Sequence, residues 1–183
     1  VYNWIPKLTT PTISPTASQT ICSHETLAFT SSTTNASPTY QWLRNGGNAA
    51  GASTSANYTA GPSLTAGSHY FSVKVISGGC YRISNVTKVT VNASPAVYNV
   101  TGGTQCGTAL VGLSSSDDNT VSYQLVRNGV TNVGSPVAGS SAAFNFGSQA
   151  TAGTYTVLAS NALCPNIAMT GSSLVNPLPA NPT

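Results

Sequence analysis

The chain has 183 residues, and its Lys, Arg, Asp and Glu residues make up only 5% of it, with a formal net charge of +3. An ordinary soluble domain has about 25% charged residues. The basic residues are scattered singly and do not alternate with aromatic residues, which argues against nucleic acid as a partner. The sequence also lacks an apolar run of the roughly 18 residues that a membrane helix needs, so we expect no direct insertion into a membrane.

A spacing of 84 residues recurs along the chain. It separates Cys22 from Cys106 and Cys80 from Cys164. The segment YQWLRNG, which begins at Tyr40, returns as YQLVRNG at an offset of 83. Self-similarity at this length predicts tandem copies of one small domain, each able to hold its own core.

The repeat also sets the expected domain bounds, because Pro11, Pro95 and Pro179 share the same spacing. We predict an extended N-terminal segment at 1–10, a first domain at 11–94 and a second domain at 95–178. Residues 179–183 are predicted to be a tail or the start of a further repeat, which makes the chain a slice of a longer array.

The predicted elements are short strands in which apolar residues alternate with polar ones, and a turn is expected at Asn45-Gly46. The core-facing positions of the first domain are, in chain order, Leu27, Phe29, Tyr40, Trp42, Phe71, Val73, Val75, Val89 and Val91. Those of the second are Val111, Leu113, Tyr123, Leu125, Tyr155, Val157 and Ala159, followed by the less regular pair Leu174-Val175. About seven short strands per domain predict an all-β chain of two tandem immunoglobulin-like β-sandwich domains.

Trp42 is the predicted anchor of the first core, packed between the two sheets. The second domain has Leu125 at the equivalent place. We therefore expect the second core to be lighter, and we expect no aromatic ligand platform shared by the two domains.

The four cysteines form two equal pairs, because Cys22 to Cys80 and Cys106 to Cys164 both span 58 residues. One disulfide within each domain gives such spans, so we predict Cys22–Cys80 and Cys106–Cys164. A metal site is disfavoured, since it requires short CxxC-type pairs or nearby His residues. In an ideal sandwich Cys22 and Cys80 would lie near opposite ends, which leaves a pairing of Cys22 with Cys164 open. Disulfides indicate an oxidising, extracellular or cell-surface location.

A family resemblance follows from the order of these motifs. A cysteine precedes an alternating strand, Tyr-Gln-Trp and Asn-Gly follow, and Ala152-Gly153-Thr154-Tyr155-Thr156-Val157 precedes a second cysteine, Cys164. The pattern resembles the immunoglobulin-like repeats of large surface proteins in Bacteroidetes-type bacteria, among them gliding-motility adhesins and other cargo of the type IX secretion system. The resemblance implies modules carried in extended surface arrays, without catalytic residues, which also serve as spacers beside enzymes.

Few residues are candidates for chemistry. His24-Glu25 begins like a zinc-protease helix motif, but Ala28 replaces the second histidine, so a turn is expected there. His69 has no sequence partner that suggests a triad. Asp117-Asp118-Asn119 is an acidic loop, yet two carboxylates rarely complete the 6 to 8 oxygen ligands of calcium, and a polar loop is the stronger expectation. We predict no catalytic residue, metal or cofactor.

Three functional hypotheses remain. The first is a non-catalytic structural or adhesive module of a bacterial surface protein or filament, with neighbouring repeats or copies of itself as partners. The second is an accessory carbohydrate-binding domain of a secreted enzyme that contacts surface glycans, which needs exposed coplanar aromatics on one face. The third is an enzyme in its own right, and the scarcity of titratable groups makes it the weakest.

Overall fold

The computed structural model describes residues 7–50 and 54–179, and these residues form β-strands without a helix. The chain divides into two compact units, Val1–Ala93 and Ser94–Thr183. Residues 1–6 of the predicted N-terminal segment and 180–183 of the predicted tail lie outside the described residues. No helix of the described chain is long and apolar enough to cross a membrane.

The described part of the first unit has nine strands in two sheets. They are β1 (Thr12–Ser14), β2 (Gln19–Cys22), β3 (Leu27–Ser32), β4 (Thr39–Arg44), β5 (Gly47–Asn48), β6 (Asn57–Ala60), β7 (Gly67–Ser77), β8 (Cys80–Ile83) and β9 (Thr87–Asn92). One sheet has the order β1-β3-β6. The other has the order β2-β9-β7-β4-β5, with β8 paired to the far end of β7. Pairing is antiparallel except between β2 and β9, which run parallel.

The described part of the second unit repeats this arrangement. Its strands are β10 (Val100–Thr101), β11 (Thr104–Cys106), β12 (Ala109–Leu113), β13 (Ser122–Arg127), β14 (Thr131–Ala138), β15 (Phe144–Gln149), β16 (Gly153–Ser160), β17 (Ile167–Ala168) and β18 (Ser173–Asn176). The sheets have the orders β10-β12-β15 and β11-β18-β16-β13-β14, with β17 paired to β16. The parallel pair is again the first strand of the larger sheet with the last, β11 with β18.

The first core is an aromatic cluster that joins the two sheets. Phe29 of β3 has its ring centroid 5.0 Å from that of Phe71 and 6.0 Å from that of Trp42, both in the other sheet. Tyr58 of β6 stacks 5.5 Å from Trp42, whose indole N–H donates to the Ser55 carbonyl at 3.1 Å. Trp42 is 0% exposed. The predicted role of Trp42 as the anchor between the sheets is confirmed.

The second core buries an aromatic side chain at a different position from the first. Leu125 takes the place of Trp42 and is buried, as predicted. Tyr123, two residues earlier, is fully buried and meets Phe144 edge-on at 5.6 Å, whereas its counterpart Tyr40 in the first unit is only partly buried. The second core still has two buried aromatic residues, Tyr123 and Tyr155, against four in the first, so it is lighter in aromatic side chains, as expected.

The repeated Arg-Asn-Gly segment has a structural explanation. Asn45 and Gly46 both have positive φ, 52° and 81°, and close the two-residue hairpin between β4 and β5, a turn that favours Asn-Gly. The Asn45 side-chain oxygen also accepts the Tyr70 N–H at 2.9 Å, which ties the turn to β7. Asn128 accepts the Thr154 N–H at 2.9 Å in the same way. These residues recur because each unit needs the same turn.

The fold prediction is confirmed, since both units are all-β with two packed sheets of immunoglobulin-like type. The predicted period-two alternation also holds. Phe71, Val73 and Val75 on β7 are fully buried, as are Val157 and Ala159 on β16.

Replacing Trp42 by Ala is expected to lower the free energy of unfolding of the first unit by about 3–5 kcal/mol, because the cavity lies where the two sheets meet. Urea unfolding followed by circular dichroism measures this change. Tyr70→Ala is the matched control, since Tyr70 is 48% exposed and should cost no more than about 0.5 kcal/mol. Equal losses in the two variants would contradict the core described here.

Candidate functional site

The cysteines are the first candidates, and their states differ from the prediction. Cys22 and Cys164 are disulfide-bonded, whereas Cys80 and Cys106 are free and exposed. The predicted bonds within each repeat, Cys22–Cys80 and Cys106–Cys164, are therefore wrong for this structure.

The strand register explains why no bond forms within the first unit. Cys22 pairs with Asn92 at the end of β9, and the adjacent Val91 pairs with Gly67 at the start of β7. Cys80 instead pairs with Ser77, at the opposite end of β7. Eleven residues of strand span about 33 Å, whereas disulfide-bonded Cα atoms lie within about 7 Å.

The same reasoning applies to the second unit. Cys106 pairs with Asn176, next to Val175, which pairs with Gly153 at the start of β16. Cys164 follows the end of β16. The eight-residue strand separates the two thiols by roughly 20 Å or more, so a bond between them is excluded.

The acidic loop is held by donors from its own unit. Asp117 accepts the Ala96 N–H with one oxygen and the Tyr98 hydroxyl with the other, both at 2.9 Å. The Asp117 N–H donates to the buried Tyr123 hydroxyl at 2.8 Å. The hydrogen bond to Asp117 is the main cause that raises the pKa of Tyr98. Sequence reasoning missed this network, since nothing in the spacing of these residues indicates that they meet.

The neighbouring carboxylate, Asp118, also accepts hydrogen bonds from a nearby residue. Asp118 accepts the Thr120 hydroxyl at 2.5 Å and the Thr120 N–H at 3.0 Å. Both bonds lower the pKa of Asp118 below its ordinary value, and the bond from the Thr120 hydroxyl has the larger effect. The described residues include no group of three or more His, Cys, Asp or Glu side chains placed to hold a metal ion. The geometry is that of a polar loop, and its side chains do not converge on a common centre.

The histidine candidates also serve local structure. Glu25 accepts the Cys22 N–H with its side chain at 2.8 Å, while its own N–H donates to the Cys22 carbonyl at 2.9 Å. His24 and Glu25 thus lie in a turn after β2, as predicted. His69 is buried on β7, and its Nε2 lies 2.8 Å from the Thr65 carbonyl.

Exposed aromatics would be needed for sugar stacking. Tyr70 and Tyr81 are 48% and 57% exposed on the outer face of the larger sheet of the first unit. Tyr81 pairs with Ile76, six residues along β7 from Tyr70, so the two rings are separated by about 20 Å along the strand. The Lys74 ammonium lies 4.5 Å from the centroid of the Tyr81 ring. The two rings do not form a continuous platform.

One open cleft occurs in the first unit, with a volume of about 510 Å³. Its wall is fixed by a reciprocal pair of bonds, from the Thr9 N–H to the Asn35 side-chain oxygen and from the Asn35 amide to the Thr9 carbonyl, at 2.9 and 3.1 Å. Lys7 is the titratable residue among the described residues of the lining. The described part of the lining therefore has one cation and neutral polar groups, without an acid–base pair.

Burial of Tyr123 predicts a pH dependence. Burial raises the pKa of Tyr123 to about 12, against about 10 in an unfolded chain. The folded state then holds a proton that the unfolded state loses, so this contribution to stability is complete below pH 10 and is lost as the pH rises toward 12. Unfolding by urea at pH 9, 10 and 11 should show a steeper loss of stability for wild type than for Tyr123→Phe. Tyr70→Phe is the control and should follow wild type; identical slopes for all three proteins would refute the assignment.

Comparison with solved structures finds two-domain and multidomain β-sandwich proteins. They include the fibronectin(III)-like modules of Clostridium thermocellum CbhA (14% identity, TM-score 0.41, 92% of this chain and 95% of that one). The Ig1-2 module of the Drosophila receptor protein tyrosine phosphatase DLAR is another (13% identity, TM-score 0.36, 93% of this chain and 100% of that one). A third is Bacteroides ovatus SGBP-B in complex with a mixed-linkage heptasaccharide (16% identity, TM-score 0.39, 92% of this chain and 47% of that one). Similarity at this level carries no information on ligand or activity.

Comparison with curated proteins finds no match. Residues 9–95 match the family model described as Ig-like domain CHU_C associated, a Bacteroidetes-type immunoglobulin-like domain. The predicted resemblance to Bacteroidetes-type immunoglobulin-like repeats is confirmed. Residues 9–95 of this chain are thus similar to the CHU_C-associated Ig-like domain family.

Proposed function

We propose that the chain is a non-catalytic structural module of an extracellular, repeat-built surface protein or filament, with a role in surface architecture or adhesion. The observation that carries the proposal is that residues repeated in the two units stabilise the fold of their own unit. Asn45 and Asn128 hold equivalent turns. The repeated sequence preserves a fold, and it does not create a recurring reactive site.

The titratable groups support a non-catalytic role. Glu25 caps a turn, both oxygens of Asp117 accept bonds from the protein, and Asp118 is bound by Thr120. Catalysis requires such groups to converge on a substrate position. Here each serves the backbone or a side chain close to it.

The extracellular location rests on the family of the first repeat and on cysteine chemistry. Cys22 and Cys164 are disulfide-bonded, and disulfides persist in oxidising compartments. Partners in this location would be neighbouring repeats or further copies of the chain, with surface glycans as a second class.

The carbohydrate-binding alternative is favoured by one observation, the exposure of Tyr70 and Tyr81. Their separation along β7 and the cation over Tyr81 count against it. Stacking of successive sugar rings needs aromatics that share one plane, and this face does not provide them.

The location is tested on intact cells of the source bacterium with antibodies raised against the folded chain. We expect labelling without permeabilisation and loss of the epitope after brief treatment of whole cells with protease. A periplasmic protein of the same cells is the control and should stay unlabelled. Labelling that appears only after permeabilisation would overturn the proposal.

The glycan alternative makes a separate prediction. We expect the chain to show no selective binding on a glycan array, and Tyr70→Ala and Tyr81→Ala to behave as wild type. Selective binding that Tyr81→Ala abolishes while circular dichroism stays unchanged would instead favour the carbohydrate-binding module.

A further inference from the structure

Strand β8 of the first unit adds nothing to the core of its sandwich. All four of its residues, Cys80–Ile83, are exposed. The hairpin that joins it to β7 turns at Gly78 and Gly79, whose φ values of 56° and 80° are positive. At the equivalent place the described second unit has the two-residue strand β17, one residue of which is buried. The sandwich therefore folds without a long β8, and the extension of this hairpin needs another explanation.

One edge of β8 is unpaired. The Ser84 N–H donates to the Val73 carbonyl at 3.0 Å, and in an antiparallel pair such residues alternate with residues whose N–H and C=O point away from the partner strand. Ser84 and Arg82 therefore face β7, and the N–H and C=O groups of Tyr81 and Ile83 point to the other side. No strand of the described residues pairs with β8 on that side. We call these outward groups the β8 edge, which is a template for a further strand.

The charges around the β8 edge are positive. Between residues 1 and 93 the sequence has one acidic residue, Glu25, and five basic ones, Lys7, Arg44, Lys74, Arg82 and Lys88. Arg82 lies on β8 itself, and Lys74 pairs with Ile83 across the hairpin. The Glu25 carboxylate accepts the Cys22 N–H in the turn after β2. The first repeat thus has a cationic edge strand with little negative charge of its own, and an acidic partner is favoured there.

Apolar side chains flank the same edge. Tyr81 and Ile83 are 57% and 44% exposed, and residues two apart on a strand lie on one face. The Lys74 ammonium lies 4.5 Å from the centroid of the Tyr81 ring. The side chain of Arg82, between the two apolar residues, projects from the opposite face. The β8 edge therefore presents an apolar, a basic and an apolar residue in alternation.

We propose that the β8 edge binds an extended segment of a partner protein in which an acidic residue stands between two apolar ones. The segment pairs antiparallel with β8, with its apolar residues opposite Tyr81 and Ile83 and its acidic residue opposite Arg82. The Arg82 position is then a non-hydrogen-bonded pair, in which Cα atoms approach to about 4.5 Å and opposite charges stabilise the pairing. The proposal names a partner class for the proposed adhesive role, on which it rests for its setting.

Copies of this chain do not supply the segment. The three acidic residues lie in His24-Glu25-Thr26 and Ser116-Asp117-Asp118-Asn119, where none of them has an apolar residue on both sides. Two β8 edges paired antiparallel about Arg82 would set their guanidinium groups opposite each other, and like charges directly opposite are destabilising. The segment therefore comes from a chain or repeat of different sequence.

The test measures the binding of fluorescently labelled peptides to the 183-residue chain by anisotropy at physiological salt. The probe is the peptide Ser-Thr-Ile-Glu-Val-Thr-Ser, and its matched control has Lys in place of Glu. We expect the Glu peptide to bind about fivefold more tightly, because an attractive cross-strand pair becomes a repulsive one in the control. On binding, amide hydrogen exchange should slow at Tyr81 and Ile83 and stay unchanged in β17. Equal affinities for the two peptides would contradict the acidic partner.

Backbone N-methylation of the peptide tests strand pairing directly. The Ile and Val amides of the bound segment point at β8, so methylation of either removes a hydrogen bond and should weaken binding about tenfold. The Glu amide points away from β8, and its methylation should change the affinity by less than about twofold. Equal losses from the three methylations would overturn the strand-pairing geometry.

Ile83→Pro blocks the β8 edge in the protein. Proline is tolerated on an edge strand where the missing N–H would face solvent, and the Ile83 N–H points away from β7. Binding should be lost, while urea unfolding and circular dichroism show that the fold is kept; if this variant unfolds, the N-methylated peptides make the same test on wild type. Arg82→Glu should weaken the Glu peptide and strengthen the Lys peptide. Lys88→Glu makes the same change of net charge on β9 and should alter the affinity by less than about twofold.

Other occupants of the β8 edge give different results. Binding that Arg82→Glu and Lys88→Glu weaken alike, and that Ile83→Pro leaves intact, would replace the strand site by a general cationic surface. A dimer of wild type without peptide that Ile83→Pro abolishes would identify a second copy instead. No binding of the Glu peptide at about 1 mM would overturn the proposal. These assays use the purified chain, so their failure leaves the cell-labelling result in place, and the reverse also holds.

Discussion

The packing of one sheet on the other through alternating side chains is the constraint on which each unit depends. Phe29 reaches from the three-stranded sheet to Trp42 and Phe71 in the larger one, and all three are fully buried. With so few charged residues in the chain, this apolar contact is the main source of stability, and hydrogen bonds between neutral groups satisfy the rest of the backbone. A one-residue slip in any core strand would turn its apolar face to water.

That constraint explains what was predictable from the sequence. Period-two alternation identified the buried face of β7 and β16, and Asn45-Gly46 identified a turn, because both patterns are local consequences of strand and turn geometry. The exchange of aromatic roles between Trp42 and Tyr123 was not predictable. It depends on which ring the opposite sheet provides, and in the second unit Phe144 meets Tyr123.

The disulfide prediction failed for a physical reason that equal spacing hides. A bond within each repeat and a bond between successive repeats both recur every 84 residues, so the spans of Cys22–Cys80 and Cys106–Cys164 are compatible with either. The distance along β7 decides between them in the first unit. Cys22 lies near the start of this strand and Cys80 lies beside its end, about 33 Å away. The Tyr98–Asp117–Tyr123 network was missed because side-chain contacts between loops leave no periodic trace in the sequence.

The edges of the sheets bear on how such units would join. Unpaired strand edges are the usual route by which β-sandwiches associate. In the second unit the edge strand β14 contains Gly134, with φ 66°, and Pro136, which has no N–H to donate. In the first unit the equivalent edge, β5, is only two residues long. Lateral strand addition is therefore poorly supported at these edges.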